Sequence, residues 1–327
     1  MTRGRPAMRI RGGARGIALV VVLLVLSVLL AVLGEFAQAM RLEATTTLNF
    51  RAALAASHLA EAGYQRAVAE ILPEALAQHL DEQGLLVFRR TRLGAAKAPE
   101  RTEIALGPGR LSYRITDEDA RLNLNRVTPD VLHRLLSELG VERETRDVIV
   151  GSILDWRDAN EEHRLNGAES DYYLGLPVPY RAKNGDFDAV EELLQVRGIT
   201  PEIFYGRPEA PGLLEYVTVA GTGAINVNTA SPTVLRALGF AQAELELLIA
   251  GRPYVELSLL SAQLRRGRQT TRSEAFRIEA WGAVPGHGRR TLTALVQRRA
   301  GRDGVARVTL LAWRWRAEEP PATGDPM

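Results

Sequence analysis

Gly16-Ile-Ala-Leu-Val-Val-Val-Leu-Leu-Val-Leu-Ser-Val-Leu-Leu-Ala-Val-Leu-Gly34 is an uncharged run of 19 residues. At 1.5 Å per residue a helix of this length spans roughly 28 Å, close to the hydrocarbon thickness of a bilayer. Ahead of it stand Arg3, Arg5, Arg9, Arg11 and Arg15 with no acid, and the first acid after it is Glu35. That asymmetry places the N-terminus in the cytoplasm and everything beyond Glu35 across the membrane. A secretory signal peptide would stop its apolar region at about 7–15 residues and end in a small-residue cleavage site. This run continues too far for that.

C-terminal to the run the helical pattern persists. Phe36, Met40, Phe50, Leu54, Leu59, Val68 and Ile71 form an apolar stripe among Ala, Glu, Arg and Gln, and no proline follows Gly16 until Pro73. One helix is therefore expected over 17–72. It is apolar all round in its membrane span, 17–34, and amphipathic beyond it, so it leaves the membrane to pack on a soluble domain.

The remaining composition suits a folded domain. Of 327 residues 46% are hydrophobic and 24% charged, with 41 basic side chains against 39 acidic. A net charge of +2 argues against a strongly basic nucleic-acid binder. The absence of cysteine excludes thiol catalysis, thiolate metal sites and disulfides.

Alternation marks the strands. Ile104 and Leu106, then Leu111, Tyr113 and Ile115, flank Gly107-Pro108-Gly109 as strand, turn and strand. Phe276 to Val284, Thr291 to Gln297 and Val305 to Trp315 read as three more antiparallel strands. A long helical stretch separates the two groups, so one sheet is interrupted by an insertion, with the N-terminal helix lying across it.

The insertion repeats itself. Asn123-Leu-Asn-Arg-Val-Thr-Pro-Asp-Val-Leu132 aligns without gaps on Asn226-Val-Asn-Thr-Ala-Ser-Pro-Thr-Val-Leu235, an offset of 103. Both read as helix starts, with Thr128 and Ser231 as N-caps and Pro129 and Pro232 in the first helical position. Thr200-Pro201 begins a third. Each lies near a tight turn, at Leu139-Gly140-Val141, Leu238-Gly239-Phe240 and Arg197-Gly198-Ile199. The pattern resembles the helix-hairpin-helix module, with Ser152 to Asp158 where a second helix would sit. In DNA-binding members a Gly-hydrophobic-Gly hairpin offers backbone N–H groups to a phosphate. Here Glu142 and Ala241 stand where the second glycine would be, which favours structural reuse of the module.

The densest chemistry lies between Asp155 and Asp171, with six acids, two arginines and two side-chain amides. Hard oxygen donors of this kind suit calcium. The ligands expected are Asp158, Asn160, Glu169 and Asp171, with Asp155 instead buried at a helix end. The alternative is a solvated acidic loop. No enzymatic constellation stands out. His58, His79, His133, His163 and His287 are scattered, and neither a nucleophile elbow nor a phosphate loop is present.

The basic leader ending at Arg15-Gly16 before Ile17-Ala18-Leu19 resembles the type IV pilin and pseudopilin class. The resemblance implies cleavage after Gly16 by the prepilin peptidase and methylation of the new amine at Ile17. Pilins usually carry a glutamate at the fifth mature residue, and Val21 stands there instead. That suits a subunit with nothing ahead of it in a fibre, and equally an ordinary anchor helix.

The order of Asp117-Glu-Asp-Ala-Arg-Leu-Asn-Leu-Asn125, Leu154-Asp-Trp-Arg-Asp158, Asn166-Gly-Ala-Glu169, Asp171-Tyr-Tyr173, Glu191-Glu-Leu-Leu194 and Ile225-Asn-Val-Asn-Thr229 narrows the likeness. It is similar to the protein K family of type II secretion, the largest minor pseudopilins. The resemblance implies an α+β pseudopilin fold: a long membrane-spanning helix packed on an antiparallel sheet, with a large all-α insertion that binds calcium. It also implies a non-enzymatic subunit at the tip of a periplasmic pseudopilus. There it would assemble with the minor pseudopilins I, J and H, anchored once in the bacterial inner membrane, with no nucleic-acid partner. The other reading, of a different class, is a membrane-tethered helix-hairpin-helix protein that binds DNA, as a competence receptor does.

The expected layout is a leader over 1–16, the helix over 17–72, the first part of the pseudopilin domain over 73–122 and a helical insertion over 123–215. The remainder of that domain, with the second hairpin segment and the C-terminal strands, occupies 216–317, and a disordered tail 318–327.

Overall fold

A computed structural model describes residues 14–91, 98–301 and 305–318. Residues 1–13 of the expected leader, 1–16, and 319–327 of the expected tail, 318–327, lie outside the described residues. The first helix, α1, runs Ala14–Ile71 without interruption. Its N-terminal portion, up to Ala55, forms one unit, and the chain from Ala56 onward forms a second. In the first unit the large apolar side chains from Ile17 to Phe50 are exposed, and the helix from Ile17 is long and apolar enough to cross a membrane.

The second unit is built on a five-stranded antiparallel sheet. Two short strands, β1 (Ala77–Leu80) and β2 (Leu86–Arg89), first pair as a separate hairpin. Then β3 (Ile104–Leu106) and β4 (Gly109–Asp117) form one side of the main sheet. The other side comes from the end of the chain, with β11 (Ala275–Ala283), β12 (Arg289–Ala300) and β13 (Ala306–Glu318), in the order β13-β12-β11-β4-β3. Phe276 pairs with Asp117 across the junction, so the sheet closes over a gap of more than 150 residues. Glu318, expected in the tail, ends β13 opposite Arg289.

Alternation puts Phe276, Ile278 and Ala280 of β11 and Leu292, Ala294 and Val296 of β12 on a buried face. The last turns of α1, from Ala56 on, cover it. Ala56, Ala60, Gly63 and Ala67 recur at helical spacing and keep the helix backbone close to the strands. A Cβ at Gly282 of β11 would lie 2.2 Å from the Ala56 carbonyl oxygen, so this approach needs glycine. Arg101 completes the seam, with Nε donating to Glu70 at 3.1 Å and Nη2 to the Leu86 carbonyl at 2.7 Å.

Between β4 and β11 lies the insertion. It contains β5 (Leu122–Asn123), α2 (Pro129–Glu138), α3 (Arg143–Arg157), α4 (Ser170–Leu174), α5 (Pro201–Tyr205), the small hairpin of β6 (Gly206–Arg207) and β7 (Ala210–Pro211), β8 (Val217–Thr218), β9 (Ile225–Asn226), α6 (Pro232–Ala237), α7 (Gln242–Ala250) and β10 (Gln269–Thr270). The repeated segments fold alike. β5 pairs in parallel with β8 and β9 with β10, and each short strand leads into a helix, α2 or α6. These two helices pack on each other, with Arg134 Nε donating to the Ala237 carbonyl at 2.6 Å. One core holds Leu132, Leu135, Ile149, Ile153 and Trp156 together with Val234, Leu235, Leu245 and Leu248. The segment from 216 to 264 thus shares a core with 123–215, not with the sheet as expected. The reason is that the apolar faces of α2 and α6 are buried against each other. Ser231 and Thr200 cap their helices, accepting from the Val234 and Ile203 N–H groups at 3.3 Å, whereas Thr128 makes no side-chain cap.

Three consecutive acids hold the insertion at its neck. Asp117 Oδ2 accepts from Asn226, Thr229 and Ser273 at 2.9, 2.6 and 2.6 Å. Glu118, fully buried, binds Arg277 at 2.8 Å and Arg121 at 3.2 Å. Asp119 Oδ2 accepts from the Glu274 and Ala275 N–H groups at 2.7 and 3.1 Å. The chain leaving β4 is thereby tied to the chain entering β11.

Candidate metal centre

Helix α3 ends in Asp155-Trp156-Arg157, with Asp158 as its C-cap. Trp156 anchors the helix end, its ring 5.3 Å from that of Tyr173 on α4. The loop between α3 and α4 therefore starts and finishes on fixed points. Asp155 is fully buried, as expected for a residue at the helix end. Its carboxylate accepts from Arg164 Nη1 at 2.9 Å, and the same nitrogen reaches Asp158. Gly167 packs directly on it: a Cβ there would lie 1.9 Å from Asp155 Oδ2. Asn166, at φ +63°, supplies the left-handed turn into this contact.

Glu169 is the unusual member. It is 1% exposed, and neither of its carboxylate oxygens has a hydrogen-bond partner. Burial, followed by the charges of Asp155, Asp158 and Glu161, pushes its pKa up to about 7. Glu161, in contrast, is exposed and accepts from Ser170 Oγ and Asn184 Nδ2, both at 2.9 Å, which with the Ser170 N–H holds it below the usual carboxylate range. Two of the expected ligands lie apart from this group. Asn160 is exposed and accepts from the Glu162 N–H at 2.7 Å. Asp171 is exposed and pairs with His163 at 3.0 Å.

The structure thus gathers Asp155, Asp158, Glu161 and Glu169 into one electrostatic neighbourhood, with Arg164 as its cation. Among the described residues no three acids or histidines converge closely enough to cage an ion. The donor chemistry nevertheless fits a hard cation at Glu169, because a buried carboxylate with both oxygens unpartnered lacks its counter-charge. The sequence alone gives no spacing signal for Glu161, which lies eight residues before Glu169.

The hairpin amides are occupied. Gly239 N–H donates to Arg236 at 2.8 Å, Phe240 N–H to Leu235 at 3.3 Å, and Ala241 N–H to the Glu244 carboxylate at 2.8 Å. At the other turn Gly140 N–H and Val141 N–H donate to Ser137 and Leu136, both at 3.0 Å.

Residues 116–207, from the end of β4 through the neck and the acidic loop to β6, match the family described as Type II secretion system (T2SS), protein K. Over 242 residues, 70% of this chain, the sequence is 33% identical to a type II secretion system protein K of Pseudomonas aeruginosa, spanning 69% of that relative. The chain belongs to the type II secretion system protein K family. It is a minor pseudopilin. A protein K of Pectobacterium carotovorum subsp. carotovorum is 30% identical over 235 residues, 67% of this chain and 66% of that relative. In fold the chain is similar to the crystal structure of the GspK-GspI-GspJ complex from enterotoxigenic Escherichia coli. The TM-score is 0.53 at 19% identity, over 67% of this chain and 84% of that one. The α+β pseudopilin fold expected from the sequence is the fold observed, and α1 supplies its N-terminal transmembrane helix.

Proposed function

We propose that this minor pseudopilin caps the tip of a periplasmic pseudopilus and helps initiate its assembly, as a structural subunit without catalysis. The observation that carries this reading is the insertion of residues 118–274 between two neighbouring strands of the sheet. In a helical fibre each head must leave room for the subunit stacked above, and an added domain with its own core obstructs that position. A terminal subunit needs contacts on one side only. Val21, in place of an acid within the apolar run, is consistent with a subunit that has no neighbour ahead of it.

The partners follow from the same reading. The relative in the solved complex assembles with GspI and GspJ, and we assign I and J, with H beneath them, as the neighbours of this chain. Prepilin peptidase cleaves after Gly16 on the cytoplasmic side and leaves a methylated Ile17. The domain after the anchor is periplasmic, in keeping with the arginines before the apolar run. Internal use of the hairpin N–H groups supports this reading over DNA binding.

Calcium would be held at Glu169 and Asp158, with Asn160 and Asp171 on the flanks. It would supply the positive charge that Glu169 lacks and fix the loop. The role of the ion is structural.

A gold-binding tag on the exposed Pro177-Val178-Pro179 loop tests the placement. Label at one end of isolated pseudopili is expected; label distributed along their length removes the cap. Gly16→Trp is expected to leave an unprocessed precursor, and a normally trimmed product would remove the pilin-type maturation.

A further inference from the structure

A cavity of about 380 Å³ opens where the β1–β2 hairpin, the end of β4 and the start of α6 meet. Its walls are largely apolar, with Leu85, Ile115 and Val234 among them, and Arg114, Arg121 and Arg252 also line it. The three arginines are not equivalent. Arg114 lies on the exposed side of β4, and Arg121 is neutralised by Glu118 at 3.2 Å. Arg252 is half-buried, and among the described residues no acid lies within ion-pair distance of it.

Its hydrogen bonding is equally incomplete. Nη2 donates to the Ala230 carbonyl at 2.8 Å, and among the described residues Nε, sealed from solvent, has no partner and Nη1 makes no hydrogen bond. Burial brings its pKa down to about 10. Guanidinium groups drawn out of water are ordinarily matched by an anion, because the unpaired charge is costly. Glu215, on the rim, leans 4.0 Å from Arg121 and leaves Arg252 unmatched.

We propose that this cavity binds a monoanionic carboxylate carried on an apolar stem, with the Arg252 guanidinium as its counter-charge. The buried cation without a counter-charge calls for one negative charge, and the apolar part of the lining, Leu85, Ile115 and Val234, calls for an apolar stem. The volume suits a stem of the size of a leucine or phenylalanine side chain with its carboxyl group. Free small acids and the C-terminus of a peptide share this chemistry.

The test uses the intact chain in phosphatidylcholine nanodiscs, titrated with fluorophenylacetate and with fluorophenylacetamide and followed by fluorine NMR line broadening. The acid is expected to bind at least about tenfold more tightly than the amide, as a charge-assisted pair requires. Arg252→Met is expected to remove that preference. Leu85→Trp, which narrows the cavity while leaving Arg252 in place, is expected to weaken the acid as well, so the outcome does not rest on one variant's folding. Equal binding of acid and amide, or an acid preference that survives in both variants, overturns the site. A second arm uses acetyl-Ala-Leu-Phe with a free or an amidated C-terminus. Tighter binding of the free-acid peptide than of fluorophenylacetate identifies a peptide terminus as the source, and the reverse order identifies a small acid.

Discussion

Asn125 and Asn228 close the same hydrogen-bonded ring, one in each copy of the repeated segment. Asn125 Nδ2 donates to the Phe187 carbonyl at 3.0 Å and its Oδ1 accepts from the Phe187 N–H at 2.7 Å. Asn228 makes the identical pair with Tyr254, at 2.9 and 2.8 Å. A side-chain amide is the one group that offers a donor and an acceptor in this geometry, so it takes the place of a strand neighbour for a loop that has none. The segments thus share a fold because both helices, α2 and α6, start from a strand locked in this way.

The ring at Asn228 is 1% exposed, and the one at Asn125 is half-buried. Asn228→Ala leaves a buried N–H and C=O unpaired and is expected to cost about 2–4 kcal/mol, whereas Asn125→Ala is expected to cost about half as much because water can enter. Thermal unfolding of the intact chain in nanodiscs reads the difference. Equal losses at the two sites would remove burial as the cause.

The neck carries a pH dependence of definite sign. Burial, and then the charge of Asp117, pushes the Asp119 carboxyl from 3.8 up to about 7. Between these values the folded chain holds a proton that the unfolded chain has released. Stability from this group is therefore fully present below about pH 4 and is lost as pH rises toward about 7, by as much as about 4 kcal/mol. Asp119→Asn keeps an oxygen for the Glu274 and Ala275 N–H groups and cannot ionise. The midpoint of the parent chain relative to this variant is expected to fall from pH 5 to pH 8. A constant difference would mean that Asp119 titrates at its ordinary value.

The close approach of α1 to the sheet makes glycine positions unequal. At Gly282 an added Cβ meets backbone at 2.2 Å, while at Gly63 it lies 3.3 Å from the Ala280 Cβ and the Ser112 carbonyl oxygen. Gly282→Val is expected to destabilise by about 3 kcal/mol or more, since neither backbone can yield. Gly63→Ala is expected to change stability by under about 1 kcal/mol, the small overlap being offset by better helix propensity. Denaturant midpoints of the two variants check the order.

The strands of the main sheet were legible because Ile278, Ala280, Leu292 and Ala294 alternate with polar or half-exposed neighbours, which is a local signal. Helix α1 was legible for the same reason, its end falling at Ile71 just before Leu72-Pro73. The hairpin of β1 and β2 was not, because Ala77-Gln-His-Leu80 has neither alternation nor β-branched residues. The shared core of the two repeats was hidden because the pairing of α2 with α6 is a contact made about 100 residues apart. The neck was hidden in the same way: Asp117 to Asp119 read as a family signature, and only partners such as Asn226, Ser273 and Glu274 turn them into a buried lock. In the acidic loop Glu169 and Asp171 are two residues apart yet differ fully in exposure. Glu169 lies at the start of α4 against the core, and Asp171 lies on its outer side.

That contrast yields the most discriminating prediction for calcium. Without an ion, Glu169 is a buried acid with unpartnered oxygens facing the charges of Asp155, Asp158 and Glu161. Glu169→Gln removes the charge and keeps the volume, so the metal-free chain is expected to unfold at the same temperature as the parent or higher. With calcium the order reverses: the ion is expected to raise the midpoint of the parent by several degrees, as any ligand of the folded state does, and to leave Glu169→Gln unmoved. Asp171→Asn, at an exposed flank, is expected to retain part of the rise. Scans in calcium, in magnesium and in a chelator separate these cases. A parent chain with the same midpoint in all three would leave Arg164 as the loop's only cation and withdraw the metal.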